Sequence, residues 1–319
     1  MKRCLALAGQ LDGGVRFFLD CDFWAPQLRE QGWPFEEEGS PEASDRALSA
    51  LQSGQIRGLI FDGYELRPTD AAAAIAHGYV VHLDDGVAAL PAHCRVNPAA
   101  EPGPTDHDLF GLEYALLDAA FAKAHEQARP DRKSTPDDDL HLLITMGARD
   151  SKNITAAVLD ACRSLPGLRE IRVIMGVHAD HLDAIRAQAD SIGNACLIVD
   201  CQDMISEYDR ADLAVGAGGV SLLERLCCGL PALIVTQSRN QRGNVKSALD
   251  AGAVGLLGDA GNLDGNLIRG NIEALMQSDT ALPAMRTAGL ALVDGRGALR
   301  AAERLGCFLK EYDNDHLSL

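Results

Sequence analysis

The chain has 319 residues, of which 47% are apolar and 24% are charged, and its formal net charge is −17. This composition is typical of a globular protein and excludes a largely disordered chain. The negative charge and the lack of a basic stretch argue against a nucleic-acid-binding protein. A small anionic ligand remains compatible, because helix N-termini and backbone amides supply positive potential locally.

Cysteine usage and hydropathy predict a cytoplasmic protein. Nine cysteines, an odd number, are scattered along the chain without zinc-ligand spacing, which favours free thiols in a reducing compartment. The sequence opens without a signal peptide pattern, and no apolar run is long enough to span a bilayer. We therefore expect no metal site and no membrane insertion.

Short apolar runs alternate with amphipathic segments along the chain. The runs that predict strands are 15–19, 59–61, 79–83, 140–146, 171–175, 195–199, 213–215, 232–235 and 254–257. Helices are predicted between most of them, at 154–164, 179–189, 222–228 and 245–251. Strands that alternate with helices predict parallel sheets covered by helices on both faces, as in doubly wound α/β folds.

A polar segment with two prolines, residues 130–139, interrupts this alternation and predicts an exposed linker. It divides the chain into an N-terminal domain, 1–129, and a C-terminal domain, 140–319. We expect two Rossmann-like, doubly wound domains facing a cleft, with ligands bound beyond the carboxyl ends of the strands. The last predicted helix, 297–312, is expected to pack back across the domain junction.

A glycine-rich segment, residues 216–219, carries the strongest chemical signal. It follows a predicted strand and precedes a predicted helix. Glycines there permit backbone angles closed to other residues, and they let phosphate oxygens reach the amides at the helix N-terminus. The alternative interpretation is an ordinary tight turn without a ligand.

Two polar residues in the predicted helix extend this candidate site. Ser221 is a candidate N-cap whose hydroxyl is also placed to bond a phosphate oxygen. Glu224 lies one turn further on, where a carboxylate can accept hydrogen bonds from a ribose diol. The alternative for Glu224 is a surface glutamate.

Two more polar loops follow predicted strands of the C-terminal domain. Asn240 and Gln241 are candidates for bonding a sugar or a nucleotide, the alternative being a solvated loop with a helix cap. In the other loop, Gly147 is expected to relieve crowding, and Lys152 and Asn153 are placed to face the cleft. The alternative there is a connecting loop in which Asn153 caps the next helix.

Carboxylates follow two predicted strands of the N-terminal domain. Asp62 is a candidate acid/base or orienting carboxylate, and Tyr64 is expected to line the substrate pocket. Asp84 and Asp85 follow the next strand, where paired carboxylates can share a proton or hold a metal. Aspartates also form turns, and a turn is the favoured interpretation of this pair.

Several segments, in one order, resemble a known family. They are IFDGY at 60–64, LDD at 83–85, YALL at 114–117, MGARDSKNIT at 146–155, GAGGVSLLERLCCGLP at 216–231 and RNQ at 239–241. They resemble the UDP-2,4-diacetamido-2,4,6-trideoxy-β-L-altropyranose hydrolases of pseudaminic acid biosynthesis. These are relatives of spore-coat polysaccharide synthesis proteins within the GT-B glycosyltransferase superfamily. The resemblance covers nearly the whole chain, and its glycine-rich segment is the most specific part.

The resemblance implies a GT-B fold in which the C-terminal domain holds UDP. It implies that the pyrophosphate lies against Gly218, Gly219, Val220 and Ser221. It also implies that Glu224 binds the ribose. The expected partner is therefore a UDP-sugar.

The resemblance further implies which residues contact the sugar. Asn240 and Gln241 are expected near the diphosphate and sugar, and Asp62 and Tyr64 are expected to face the sugar. Arg3 matches an arginine of the family's first loop and is expected to bind the substrate. The implied reaction is hydrolysis at the anomeric carbon with inversion, without a metal or cofactor. The product sugar would become part of a nonulosonic acid for surface glycans or flagellin.

The chain also departs from the family pattern. The family opens with a strand and a G-x-G-H-x-x-R loop whose histidine is the expected base, whereas Met1 aligns just after that histidine. We expect a misassigned start, with the missing strand and loop encoded upstream in frame. Val220 and Ser221 stand where serine and threonine are usual, Gly63 replaces a histidine, and Arg239 replaces an aspartate.

Two alternatives to the hydrolase are open. A glycosyltransferase is one, but the N-terminal part lacks the basic and apolar patch typical of enzymes that act on lipid-linked acceptors. A non-catalytic UDP-sugar-binding relative is the other, since the expected histidine is missing. The resemblance favours hydrolysis.

Overall fold

The computed structural model of the chain describes residues 1–19, 24–36, 42–63, 67–86, 90–101, 105–129 and 139–316. The chain divides into two compact units. Unit 1 comprises Met1–Ala119 and Arg296–Leu319, and unit 2 comprises Ala120–Gly295. Most of the predicted linker, 130–138, lies outside the described residues, so a boundary there stays a prediction.

Helices and strands alternate through most of the described chain, except at 79–110, where strands follow one another, and at 265–316, where helices do. The helices of the described residues are α1 (Lys2–Ala8), α2 (Ala25–Glu30), α3 (Ala43–Gln52), α4 (Pro68–Ile75), α5 (Ala120–Gln127), α6 (Ile154–Cys162), α7 (Leu182–Asp190), α8 (Met204–Arg210), α9 (Val220–Cys227), α10 (Arg242–Asp250), α11 (Gly265–Met276), α12 (Ala281–Leu292) and α13 (Gly297–His316). The strands are β1 (Phe17–Phe18), β2 (Phe35–Glu36), β3 (Gly58–Phe61), β4 (Tyr79–Leu83), β5 (Cys94–Asn97), β6 (Leu109–Phe110), β7 (Leu140–Thr145), β8 (Leu168–Met175), β9 (Ala195–Val199), β10 (Leu213–Ala217), β11 (Ala232–Thr236) and β12 (Val254–Asp259).

Unit 1 contains two parallel sheets, β1–β2 and β3–β4–β5–β6. Strand β4 is buried at every position. Its residue Val81 packs in one core with Leu305 of α13, whereas Val80 packs in another core with Ala74 of α4. Because helices cover both faces, β4 reads as a continuous apolar run in the sequence. Helix α13 is thus part of the core of unit 1, although it comes last in the chain.

Unit 2 contains a six-stranded parallel sheet with the order β12–β11–β10–β7–β8–β9. This is the order of doubly wound nucleotide-binding sheets, and the direction of winding reverses between β7 and β10. Ligands of such sheets bind outside the carboxyl ends of the strands at this switch point. The loops that follow β7 and β10 are therefore the first places to examine for a site.

The predicted α/β fold class is confirmed, because both units are built on Rossmann-like parallel sheets. Each predicted strand has a counterpart in the structure, with differences of a few residues at the ends. Strands β2, β5 and β6 were not predicted; they have two to four residues, too few to show a period. Among the described residues, none of the helices combines the length and apolarity needed to cross a membrane.

Candidate functional site

Strand β10 leads directly into α9 through the glycine turn, which we define as residues 216–221. Gly219 is the N-cap of α9, with a φ of −82° and no capping side chain. Ser221, the predicted N-cap, therefore lies inside the first turn of the helix, and that prediction is wrong. The Leu222 amide donates to the Gly219 carbonyl at 2.9 Å. The amides of Val220 and Ser221, at the start of α9, have no acceptor within their own helix and are donors suited to an anion.

Close packing, rather than an unusual backbone angle, requires glycine in this turn. Neither Gly216 nor Gly218 has a positive φ. A Cβ on Gly216 would lie 2.9 Å from the carbonyl oxygen of Thr145, and one on Gly218 would overlap Cγ2 of Val245. The predicted backbone-angle explanation is therefore wrong at these positions. Gly219 differs from both: only Gln241 Nε2 lies within 4 Å of the place where its Cβ would be, at 3.7 Å, so the open space beside this turn is at Gly219.

Arg225, which the motif pattern did not indicate as functional, lies against the inner side of the glycine turn and is 0% exposed. Its Nη2 donates to the Ala217 carbonyl at 2.6 Å, and its Nη1 donates to the Ser221 hydroxyl at 3.4 Å. Burial lowers the pKa of this guanidinium, while Tyr208 and Glu224 act in the opposite direction. The spacing of Ser221 and Arg225, four residues apart on one helical face, is the sequence signal that could have indicated this contact.

Glu224 is only 5% exposed, so the alternative of a surface glutamate is wrong. Its Oε2 accepts a hydrogen bond of 2.7 Å from the buried phenol of Tyr208. Burial and the Glu224 carboxylate raise the pKa of Tyr208 well above its ordinary value, so the phenol remains a donor. Tyr208 thus fixes the orientation of Glu224 within unit 2. Binding of a ribose by Glu224 stays a prediction.

The loop after β11 is tied to the glycine turn by Gln241. Its Oε1 accepts hydrogen bonds from the amide of Gly218 at 3.3 Å and from the amide of Gln237 at 3.0 Å. The neighbouring Asn240 accepts a hydrogen bond from the Ser238 hydroxyl within the same loop. The structure therefore brings Gln241 into direct contact with the predicted phosphate-binding backbone.

The loop after β7 is joined to the same region. Gly147 has a φ of +87°, and no atom lies within 4 Å of the place where its Cβ would be. The predicted relief of crowding is therefore wrong, and the left-handed backbone is what favours glycine here. Lys152 Nζ donates to the Gln237 carbonyl at 2.8 Å, and Gln237 Nε2 donates to the Met146 carbonyl at 2.9 Å.

Helix α6, which follows this loop, is capped by Asp150. The Asp150 carboxylate is buried and accepts hydrogen bonds from the amides of Ile154 at 3.0 Å and Thr155 at 2.9 Å. Asn153 occupies the N-cap position with a φ of +52°, but its side chain makes no capping hydrogen bond. The alternative interpretation, in which Asn153 caps the next helix, was thus right about the N-cap position of Asn153 and wrong about its side chain.

Three loops therefore meet at one end of the sheet of unit 2. They follow β7, β10 and β11, which are adjacent in the sheet. Gln237 and Gln241 connect them through the hydrogen bonds given above. This arrangement places backbone amides, a hydroxyl and an ammonium group near the switch point. Donors of this kind suit a ligand that carries phosphate groups.

In unit 1, two predicted site residues, Arg3 and Asp62, lie together with Leu83 and Asp85 in a group that we call the Arg3 cluster. Arg3 Nε donates to Asp62 Oδ1 at 3.0 Å, and its Nη2 donates to the Leu83 carbonyl at 3.1 Å and to Asp85 at 3.2 Å. Cys4 Sγ donates to the other oxygen of Asp62 at 2.9 Å. The guanidinium of Arg3, a predicted substrate ligand, is therefore directed at acceptors of the protein itself.

This environment makes Asp62 a weak base. Burial raises the pKa of Asp62, but the hydrogen bonds and charge of Arg3 outweigh burial and lower it to about 2. A carboxylate with so low a pKa has little tendency to take a proton at neutral pH, which favours the orienting role over the acid/base role. Tyr64 lies outside the described residues.

Asp84, next to this cluster, forms a local turn. Its Oδ1 accepts a hydrogen bond from the Gly86 amide at 2.7 Å, and its Oδ2 accepts one from Asn97 Nδ2 at 3.2 Å. Asp85 bonds Arg3 instead. The two carboxylates therefore have different protein partners, as the turn interpretation expects.

Comparisons with known proteins find sequence similarity to a spore coat polysaccharide biosynthesis protein and similarity of fold to solved structures. No protein-family profile matches it. Spore coat polysaccharide biosynthesis protein SpsG of Bacillus subtilis (strain 168) is 28% identical over 192 residues, which are 60% of this chain. The match spans 55% of the length of that relative. The predicted relation to spore-coat polysaccharide proteins is thus confirmed, and membership of the hydrolase family stays a prediction.

Solved structures show the same fold. Acinetobacter baumannii MurG matches with a TM-score of 0.68 and 16% identity, over 97% of this chain and 95% of that chain. The UDP-GlcNAc 2-epimerase of Neisseria meningitidis, solved bound to UDP-GlcNAc, matches with a TM-score of 0.65 and 15% identity, over 97% of this chain and 96% of that chain. At these identities the likeness shows the fold, and the predicted GT-B fold class is confirmed.

Proposed function

We propose that this chain binds a UDP-sugar and that unit 2 holds the UDP, with the diphosphate on the glycine turn. One observation carries the proposal: a turn with glycines at positions 216, 218 and 219 leads into the N-terminus of α9 at the switch point of a parallel sheet. Gly218, Gly219, Val220 and Ser221 supply the backbone and hydroxyl donors.

Other residues of unit 2 complete this proposed site. Glu224, held by Tyr208, is the proposed ribose acceptor. Gln241 and Lys152 approach the turn from the two neighbouring loops, with Gly147 and Asn153 shaping the loop after β7. Asn240 is proposed to contact the diphosphate-sugar region, as the family resemblance implies.

The proposed reaction is hydrolysis of a UDP-linked diacetamido-trideoxyhexose at its anomeric carbon. A water oxygen forms the new bond to that carbon, the bond to the phosphate oxygen breaks, and UDP leaves with the electron pair. The proton of the water passes to a base, and the free sugar enters pseudaminic acid biosynthesis. The ordered motif resemblance and the relation to SpsG support this assignment. Within the Arg3 cluster, Asp62 is proposed to orient rather than to take the proton.

Binding without turnover is the second candidate, and the Arg3 cluster favours it. Arg3 occupies both Asp62 and Asp85, and the pKa of Asp62 is about 2, so this carboxylate is poorly suited to activate water. A protein of this kind would retain the UDP contacts of unit 2 and leave the sugar bond intact.

One pair of measurements on the full chain separates these proposals. Calorimetric titration with UDP measures binding, and chromatography measures UDP released from a UDP-2,4-diacetamido-2,4,6-trideoxyhexose. Binding with release of UDP and free sugar supports the hydrolase. Binding without release supports the second candidate, and no binding rejects both.

Two glycine variants locate the binding. Gly218→Ala places a methyl group against Val245 and is expected to weaken UDP binding by about tenfold or more. Gly270→Ala is the matched control, since its Cβ would point into open space on the exposed side of α11. It should bind UDP like the unaltered chain. If Gly218→Ala and Gly270→Ala bound UDP with equal affinity, the proposal that the diphosphate lies on the glycine turn would be wrong.

A further inference from the structure

Arg225 is a fully buried cation that the proposed ligand contacts do not use. It is among the largest side chains with no exposed surface in the described part of the chain. Its guanidinium reaches two uncharged acceptors, the Ala217 carbonyl and the Ser221 hydroxyl, and its Nε has no hydrogen-bond partner. The charge of Glu224 favours the cation. Burial of a guanidinium whose hydrogen bonds go to a carbonyl and a hydroxyl is still costly, so a purely structural role explains this residue poorly.

Arg225 contacts the glycine turn on both sides of Gly218 and Gly219. Ala217 is the last residue of β10, and Ser221 lies in the first turn of α9. Gly216 brings the strand backbone against the guanidinium, since a Cβ there would lie 2.6 Å from Nη1. One side chain thus connects the end of the strand to the start of the helix across Gly218 and Gly219.

We propose that Arg225 is a positioning residue that shapes the glycine turn for a diphosphate and holds a positive charge directly behind it. This inference rests on the proposed function, because it assumes that UDP binds at this turn. The arginine itself does not touch the ligand. It acts through the backbone of Ala217 and the hydroxyl of Ser221.

The hydrogen bond to Ser221 has a directional consequence. Nη1 donates to the hydroxyl oxygen, so the hydroxyl hydrogen is free to be donated to another acceptor. A phosphate oxygen at the N-terminus of α9 is such an acceptor. Arg225 thereby turns Ser221 into a donor aimed at the ligand.

The charge of Arg225 has a second consequence. The chain carries a formal net charge of −17, which disfavours an anionic ligand at long range. A buried guanidinium is screened less by salt than an exposed one, and it adds to the positive end of the helix dipole. The Glu224 carboxylate offsets part of this charge, and the helix dipole adds to the remainder, which has the sign that a diphosphate requires.

The test compares the affinities of full-length variants for UDP and for uridine, which lacks the diphosphate. Arg225→Met removes the charge and both hydrogen bonds and is expected to weaken UDP binding by about 30-fold, with uridine binding unchanged. Arg225→Lys keeps the charge but loses the planar fork, so an intermediate loss of about fivefold is expected. A merely structural defect would lower both affinities together.

Two further variants complete the test. Arg286→Met removes another buried arginine of unit 2, whose Nη1 donates to the Gly229 carbonyl at 2.9 Å, and should leave UDP affinity unchanged in the folded protein. Ser221→Ala removes the hydroxyl and is expected to cost about tenfold for UDP and nothing for uridine. Because Arg225 acts partly through Ser221, the losses in the double variant should be less than additive.

The outcomes distinguish the inference from the function on which it rests. If the unaltered chain does not bind UDP, both are rejected. If it binds UDP and both Arg225 variants bind equally well, only the inference is overturned. Should Arg225→Met fail to fold, Arg225→Lys and Ser221→Ala decide the matter, and unaltered ratios of UDP to uridine affinity in both would overturn it.

Discussion

The glycine turn of unit 2 and the Arg3 cluster of unit 1 both lie at the carboxyl ends of parallel strands, yet they use their arginines in opposite ways. Arg3 directs its donors at two carboxylates and a carbonyl of the protein. Arg225 bonds uncharged groups and leaves the first-turn amides of α9 to other acceptors. Charged residues at strand ends therefore do not by themselves make a binding site. The glycine turn differs from the Arg3 cluster because the amides of Val220 and Ser221 have no acceptor within their own helix.

The largest expected effect comes from opening the Arg3 cluster. Arg3→Gln removes the charge that pairs with Asp62 and Asp85, both mostly buried, and should lower the free energy of unfolding by about 3 kcal/mol. Denaturant unfolding measures this loss. Arg57→Gln is the matched control, because Arg57 pairs with Asp313 on the surface of the same unit, where a pair contributes about 1 kcal/mol or less. Equal losses in the two variants would contradict a closed, structural cluster.

The same cluster predicts a pH dependence. Because the pKa of Asp62 is about 2 in the folded chain and 3.8 ordinarily, the unfolded chain binds this proton more readily. The resulting stability, about 2 kcal/mol, is fully present above pH 4 or so and is lost as the pH falls toward about 2. Unfolding curves recorded across this range measure it. This pH-dependent contribution to stability should be absent in Asp62→Asn. If the stability of that variant fell with pH as steeply as that of the unaltered chain, the assignment of the contribution to Asp62 would be refuted.

The glycine turn should be sensitive to volume. Gly216→Ala places a methyl group 2.9 Å from the Thr145 carbonyl oxygen of the neighbouring strand, so backbone must move and about 2 kcal/mol of stability should be lost. Thermal unfolding reports the loss. Gly193→Ala, at a loop position where a Cβ meets nothing within 4 Å, should change stability by no more than about 0.5 kcal/mol. A tolerant Gly216 would mean that the turn is more open than the structure shows.

The smallest expected effect is a difference in stability between variants of two buried tyrosines. Tyr208→Phe removes the hydrogen bond to Glu224 and should cost about 1 kcal/mol. Tyr79→Phe should be neutral or slightly stabilising, because the buried hydroxyl of Tyr79 has no hydrogen-bond partner. Chemical denaturation of both variants measures the difference. The reverse order of stabilities would refute the role given to Tyr208.

The sequence predicted the strands well and the reasons for its glycines poorly. Apolar runs located β4 and β9 to the residue. Strand β4 is buried on both faces, which explains its apolar run, whereas β9 is a half-buried strand at the edge of its sheet. A glycine in a loop, by contrast, does not reveal whether space or backbone angle requires it. Gly147 was expected to relieve crowding and instead has a positive φ, whereas Gly216 was expected to need an unusual angle and instead needs space.

The polar contacts of the candidate site were hidden for a related reason. Arg3 and Asp62 are 59 residues apart, and the pKa that their contact produces has no local signature in the sequence. In the sequence, Arg225 is an arginine beside a glutamate in a predicted helix, and only the tertiary structure shows that it is buried. Local sequence patterns indicated the position of the candidate ligand donors, at the glycine turn. They did not indicate which side chains from elsewhere in the fold contact that turn.

The hydrogen bond between the Gly218 amide and Gln241 has an energetic consequence. Under the proposed function, a phosphate oxygen that reaches this amide takes the place of Gln241 Oε1, so binding is an exchange of one acceptor for another. The free energy gained at this amide is therefore only the difference between the new hydrogen bond and the one to Gln241 that it replaces. Weakly accepting anions such as chloride compete poorly with an amide oxygen for that amide. Under the proposed function, Gln241 thus favours strong acceptors such as phosphate oxygens over weak ones at this amide.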